Sequence, residues 1–359
     1  MIKYFFLLIC IFSSLFSKNI DKTIGSTIIV GFDGVSAKKD SQICKDIKKY
    51  DLCGVILFDI NLQDREKPKN IISKEQTIRL IKELKSCKKN GKLLVAIDEE
   101  GGVVQRLKKK YGFYGKYPSE KEVGKMPYQK AREIYLKMSK ELKDVGINYN
   151  FAPVVDLAVN PKNIVIYKLK RSFGKDPKKV AKYARIFIDS MHKNGILTSL
   201  KHFPGHGSSM GDSHKGFVDV TNLWREKELK PYKILIKNSS LDSIMVAHIY
   251  NRNLDPRYPA TLSKLTIKDL LRNKLGFKGV VVSDDLQMGA IAKNYTLRET
   301  LKLAINAGEN ILLFANQLEH TDTKAIIDTI KELIKNKEIK LSSLQKSNKK
   351  IDKLLIKLQ

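Results

Sequence analysis

Cysteine is scarce in this 359-residue chain, which holds four. Cys10 falls in an apolar stretch at the start, leaving Cys44, Cys53 and Cys87 for the body of the protein. An odd set of three with no metal-ligand spacing excludes a disulfide-framework scaffold and a cysteine zinc site. The expectation is three buried small apolar side chains, with one disulfide left open. Long hydrophobic runs are lacking too. The apolar stretch Tyr4–Phe12 is too short for a permanent membrane span. With Lys3 before it and the small residues of Ser13–Ser17 after it, it reads as a signal peptide over residues 1–17, so the mature chain is expected to be exported, periplasmic or secreted. No apolar run is followed by the glycine fingerprint of a dinucleotide site. Internal repeats, low-complexity linkers and a second-domain boundary are absent as well, which leaves one domain over 18–359. Acidic residues are outnumbered, 38 against 67 Lys and Arg, for a net charge of +29. The lysines are spread along nearly every helical stretch. That distribution argues against a dedicated nucleic-acid partner and leaves weak attraction to acidic polymers such as cell wall.

What is present is a repeated alternation. Short runs rich in Val, Ile and Leu occur at Ser26–Gly34, Cys53–Asp59, Leu93–Glu100, Asn148–Asp156, Gly195–Phe203, Ser243–Ile249, Gly279–Asp285 and Asn310–Asn316. They show little polar alternation, as parallel strands covered on both faces do. Amphipathic stretches such as "SKEQTIRLIKELKSCKK", "DPKKVAKYARIFIDSMHK" and "TIKDLLRNKL" separate them, and one or two helices close the chain. Eight strands alternating with helices predict an α/β fold of (β/α)8 barrel type; an open doubly wound sheet is the alternative. In such a barrel, chemistry collects at the C-terminal ends of the strands. Asp98, Asp156, the Lys201–His202 pair, His248 and Asp284 all stand there. Charges capping apolar strands require a shared polar environment, so this rim is the expected site.

The stretch "KHFPGHGSSMGDSHKG" (Lys201–Gly216) gathers three of the chain's six histidines on one glycine-rich loop. Asp212 and His214, two residues apart in extended chain, project the same way. The carboxylate can then fix one imidazole tautomer and leave the other nitrogen free to move a proton. Gly205, Gly207 and Gly211 would let this loop close over a substrate. A metal site built from His202, His206, Asp212 and His214 is the competing reading. Phe203-Pro204-Gly205 breaks the helix that such a pair would need, and no metal or other cofactor is expected. His202 and His206 could equally be structural. In "VVVSDDLQM", Asp284 at the strand tip suits a carboxylate nucleophile, while Asp285 should point away and cap the next helix.

"KHFPGHG" followed by "DSH", together with "SDDLQM" and "DEEGGVVQRL", resembles glycoside hydrolase family 3. The match is to its single-domain β-N-acetylglucosaminidase branch, which acts on cell-wall fragments, and it runs from about Ile24 to the last helices. The resemblance implies Asp284 as catalytic nucleophile, His214 as acid/base and Asp212 as its partner. It also implies sugar contacts from Asp98, Arg106, Arg171, Lys201 and His202. Two departures stand out: "IVIYKLK" precedes "RSFG" where the family has a short Gly-acidic turn, and Val103 replaces a common basic residue. Larger members carry a second sandwich domain that donates a carboxylic acid/base; a chain ending at 359 is too short for one, so the histidine loop is expected to supply that group.

The function expected is a retaining exo-β-N-acetylglucosaminidase acting on peptidoglycan-derived fragments. The partner expected is an amino-sugar glycan or muropeptide substrate, met by a monomer with no stable membrane span. A phosphorylase, a non-catalytic wall-binding barrel and a metal-dependent hydrolase are the alternatives.

Overall fold

The computed structural model describes residues 20–89, 92–238 and 240–358. The signal-peptide expectation for 1–17 lies outside the described residues. Eight barrel strands occupy the eight predicted runs: β1 Ile28–Val30, β2 Gly54–Ile56, β3 Leu94–Ile97, β4 Tyr149–Asn150 and β5 Leu197–Phe203, then β7 Ser243–Val246, β9 Val280–Ser283 and β10 Leu312–Phe314. The intervening β6 (Val218–Asp219) and β8 (Ile249–Tyr250) pair with each other outside the barrel. The main sheet runs in the order β10-β1-β2-β3-β4-β5-β7-β9, every pair parallel. It closes through a parallel bridge between Val282 and Ile311, where the Ser283 N–H donates to the Ile311 carbonyl at 3.0 Å. The fold is the (β/α)8 barrel that the alternation predicted.

Each strand is buried on both faces, which is why its sequence shows no alternation. Side chains facing the axis, including Ile29, Leu94, Phe151, Met245 and Val282, form an inner cluster. Those facing outward meet the helices. The helices begin where the chain supplies caps: the Ser73 hydroxyl accepts the Gln76 N–H before helix Lys74–Cys87, and Asp176 with Pro177 starts helix Pro177–His192. The expected helix "TIKDLLRNKL" forms, but with π-type hydrogen bonding over Leu265–Lys274. Ile351 and Leu354, from the last helix Leu341–Ile356, join the inner cluster. Burying each stabilises by about 2 kcal/mol and covers the N-terminal end of the barrel, leaving the other end for chemistry.

The disulfide left open by the sequence is present. Cys53 is a buried free thiol, pushed up to about 12 by burial, but Cys44 and Cys87 form a disulfide joining helices Gln42–Tyr50 and Lys74–Cys87. Among the described residues, no helix is long and apolar enough to cross a membrane.

Candidate active site

A cavity of about 500 Å³ opens at the C-terminal ends of the barrel strands. Asp284, His214, Asp212, Asp98, Arg106, Arg171, Lys201 and His202 all line it. Asp156 and His248 do not, although both were expected on the rim; each stands behind a lining residue and orients it.

Asp284 leaves the tip of β9 with its own N–H bonded to the Val246 carbonyl of β7 at 3.1 Å. Burial alone would raise its carboxyl. The positive potential of His248, His202 and His214 and the Asp285 N–H, 2.9 Å from Oδ1, outweigh that and lower it to about 2. The group is therefore a carboxylate at any ordinary pH. Asp285 does not cap the next helix as expected; helix Gly289–Ala292 starts after Met288 with no side-chain cap. Its Oδ1 instead accepts the N–H of Ala315 at 3.0 Å and of Gln287 at 3.2 Å, tying the end of β9 to that of β10. His248 Nε2 lies 2.7 Å from the Asp285 carbonyl, which fixes the proton on that nitrogen.

At the end of β5 the pairing with β7 shifts register between Leu200 and Phe203. This irregularity brings the consecutive residues Lys201 and His202 to the same cavity, where a regular strand would send them to opposite faces. Lys201 Nζ sits 2.8 Å from Asp98 Oδ1 and 2.7 Å from Glu100 Oε1. Arg171 forks onto Glu100 with Nε and Nη2 both at 2.8 Å. Arg106 reaches Asp98 Oδ2 at 3.5 Å and lies over the Phe58 ring. Burial works against the Asp98 carboxylate, and Lys201 and Arg106 reverse the balance so that it stays ionised. His202 Nδ1 is 2.6 Å from Asp156 Oδ2. Its Nε2 faces Arg171 Nη2 at 3.4 Å, a pure donor, so Nδ1 is the nitrogen that donates, to Asp156.

The loop after β5 divides into two parts. Residues 201–209 are buried. Glu228 accepts the Gly207 N–H at 2.8 Å, and Asn163 donates to the His206 carbonyl at 2.8 Å. Gly205 (φ +119°) and Gly207 are not hinges, contrary to expectation. A Cβ at either would sit 2.6 Å from Glu228 Cβ or 1.9 Å from the Leu157 carbonyl oxygen, so they serve close packing. The exposed part carries the dyad. His214 Nδ1 is 2.8 Å from Asp212 Oδ1, its N–H donates to the same oxygen at 3.0 Å, and its side chain is 53% exposed. Its backbone is fixed to the turn that follows Asp284: the Gly289 N–H donates to the His214 carbonyl at 3.2 Å and the Ala290 N–H to Ser213 at 3.0 Å.

Glu100 and Glu120 are contributors that the sequence reading did not place in the site. Glu100 had a readable signal, because it lies two residues from Asp98 and so on the same side of extended chain. Glu120 had none. It comes from the start of the short helix Glu120–Val123, its Oε1 accepting the Val154 N–H at 2.9 Å, and burial beside Glu100 pushes its carboxyl well up. His206 is held by Ser209 Oγ at 2.7 Å from Nδ1, and burial lowers it to about 4. Among the described residues, no group of three or more His, Cys, Asp or Glu side chains is arranged to hold a metal ion.

The family profile described as "Glycosyl hydrolase family 3 N terminal domain" matches residues 20–354. A beta-hexosaminidase of Tolumonas auensis is 37% identical over 268 residues, covering 73% of this chain and 75% of that protein. Beta-hexosaminidase LpqI of Mycobacterium tuberculosis is 35% identical over 264 residues, covering 71% and 66%. Among solved structures, a glycoside hydrolase family 3 beta-N-acetylglucosaminidase from Paenibacillus superposes with a TM-score of 0.83 at 30% identity, over 94% of this chain and 62% of that one.

Proposed function

The chain belongs to glycosyl hydrolase family 3, and on that premise we propose that it is a retaining exo-β-N-acetylglucosaminidase acting on peptidoglycan-derived fragments. One observation carries the reading: the Asp284 carboxylate and a carboxylate-paired His214 line the same cavity as the charged side chains of Asp98, Arg106, Arg171 and Lys201. The beta-hexosaminidase and beta-N-acetylglucosaminidase names of its relatives supply the sugar.

In the proposed reaction the terminal sugar sits among Asp98, Arg106, Arg171, Lys201 and His202. The carboxylate accepts sugar hydroxyls, and the cations donate to ring-edge oxygens. His214, held by Asp212 through Nδ1, gives its Nε2 proton to the glycosidic oxygen while Asp284 attacks the anomeric carbon. The bond to the aglycone breaks and a glycosyl ester forms on Asp284. His214, now neutral, takes a proton from water, which attacks the anomeric carbon and breaks its bond to Asp284, so the sugar leaves and both groups are restored. Export of a single domain spanning 18–359 belongs to the same proposal; the Cys44–Cys87 disulfide supports it, since such bonds persist in oxidising compartments.

The test is His214→Gly assayed on aryl β-N-acetylglucosaminides. With poor leaving groups, kcat/KM is expected to fall by about 10²–10⁴, the usual worth of general acid–base catalysis, and by much less with a leaving group that needs no proton. Undiminished turnover of the poor leaving group would refute the assignment.

A further inference from the structure

The cavity's buried lining mixes ions with apolar side chains, and aliphatic side chains gather at its exposed edge. Lys201, Arg171 and His202 are almost fully buried, whereas Ile60, Leu62, Ile164, Leu169 and Leu318 line the same cavity with 37% to 46% of their surface exposed. They account for five of the fifteen large hydrophobic side chains exposed among the described residues. Such convergence on one opening marks a binding surface; scattered exposed aliphatics would need no explanation.

The rim is also preorganised. Gln317 donates to the Ile60 carbonyl at 3.1 Å and accepts the Leu62 N–H at 3.2 Å, which joins the loops after β2 and β10 into one ledge. On the other side the Asn163 carboxamide oxygen accepts the N–H groups of Val165 at 2.9 Å and Ile166 at 2.7 Å, holding the segment that contains Ile164 and Leu169. Gln317 and Asp59, polar residues that share this wall, are already engaged, the latter by Lys108 Nζ at 2.5 Å. On this wall, away from the Asp212–His214 pair, the polar side chains are thus bonded within the protein.

We infer that this rim is a subsite for an apolar leaving group: the favoured substrate is a β-N-acetylglucosaminide whose aglycone presents an alkyl, aryl or acyl surface to Ile60, Leu62, Ile164, Leu169 and Leu318. The inference rests on the sugar-cleaving part of that reading alone and assigns the aglycone an apolar class, in place of a bare saccharide. The occupant is the aglycone because the rim is continuous with the cavity and stands where a group leaving the buried sugar must pass.

The experiment compares kcat/KM for methyl, butyl and hexyl β-N-acetylglucosaminides, with chitobiose as the polar reference. The three alcohols are similarly acidic, so bond cleavage itself changes little along the series. Values should rise by about two- to fourfold for each methylene that the rim covers, and the hexyl compound should exceed chitobiose. In the double variant Leu62→Ser/Leu169→Ser the hexyl-to-methyl ratio should collapse toward one. A native ratio near one overturns the inference and leaves the sugar-cleaving reading standing, as does a ratio that survives the double substitution. Turnover of no member of the set overturns the sugar-cleaving reading, and this inference with it.

Discussion

The carboxyls of Asp284 and Asp285 leave the backbone one residue apart, yet burial acts on them in different company. Around Asp284, imidazoles and an N–H outweigh desolvation, and the group drops to about 2. Desolvation dominates at Asp285, where two backbone N–H groups offset it only in part, and the carboxyl rises to about 7. Rate loss from protonating Asp284 should therefore appear only as the pH approaches about 2. Glu228 is a third case: burial raises it to about 7 although Gly207 and Ser208 donate to it. A carboxyl whose folded pKa lies above its unfolded value stabilises the fold at acidic pH, and that contribution is lost as the pH rises through the folded pKa. Melting temperature should accordingly decline by a few degrees between about pH 5 and pH 8. Glu228→Gln keeps an oxygen for the two N–H groups and removes the titration, so its decline should be shallower. An identical decline in the variant, or a melting temperature that rises over this range, would refute this account of Glu228.

Short elements place the proton donor. The exposed end of the His214 loop is fixed on one side by the β6–β8 pairing and on the other by the start of helix Gly289–Ala292. That helix begins only five residues after the proposed nucleophile, so one turn sets the position of both groups. Gly289 makes the contact possible. A Cβ there would lie 2.7 Å from the His214 carbonyl oxygen and 3.0 Å from the Lys215 carbonyl carbon, both backbone atoms that cannot swing aside. Alanine suits the first turn of a helix, so Gly289→Ala should leave the fold intact and displace the loop. Because a shift of about 1 Å in a catalytic group can cost 10²-fold, kcat should fall by roughly 10- to 100-fold with the melting temperature nearly constant. Steady-state kinetics beside a thermal melt check this, and wild-type kcat would show that the contact does not position His214.

At the scale of the molecule, the barrel was legible because parallel strands covered on both faces must be written in Val, Ile and Leu, and the eight runs coincide with the eight barrel strands. All eight candidate residues converge on one cavity because each stands at the C-terminal end of a strand or on the loop that follows one. What depends on contacts between distant segments was not readable. The Cys44–Cys87 pairing spans 43 residues and is decided by how two helices pack, and Glu120 enters the ion network from the start of the short helix Glu120–Val123. Asp285 was misread because local pattern favoured a helix cap over a bond to the next strand. Gly205 and Gly207 looked like hinges because sequence does not show the Glu228 and Leu157 atoms pressed against them. The aliphatic rim lay in the "IVIYKLK" departure and two other loops, which only folding brings together. The central claim is that Asp284 becomes covalently glycosylated with His214 serving both steps. His214→Gly should slow release of the sugar as well as its transfer, so mixing that variant with an activated aryl N-acetylglucosaminide, quenching and mapping peptides by mass tests the claim most directly. The account predicts one N-acetylhexosaminyl adduct on the peptide containing Asp284 and none when Asp284→Asn is added; product of inverted configuration with no adduct, or an adduct on another side chain, would contradict it.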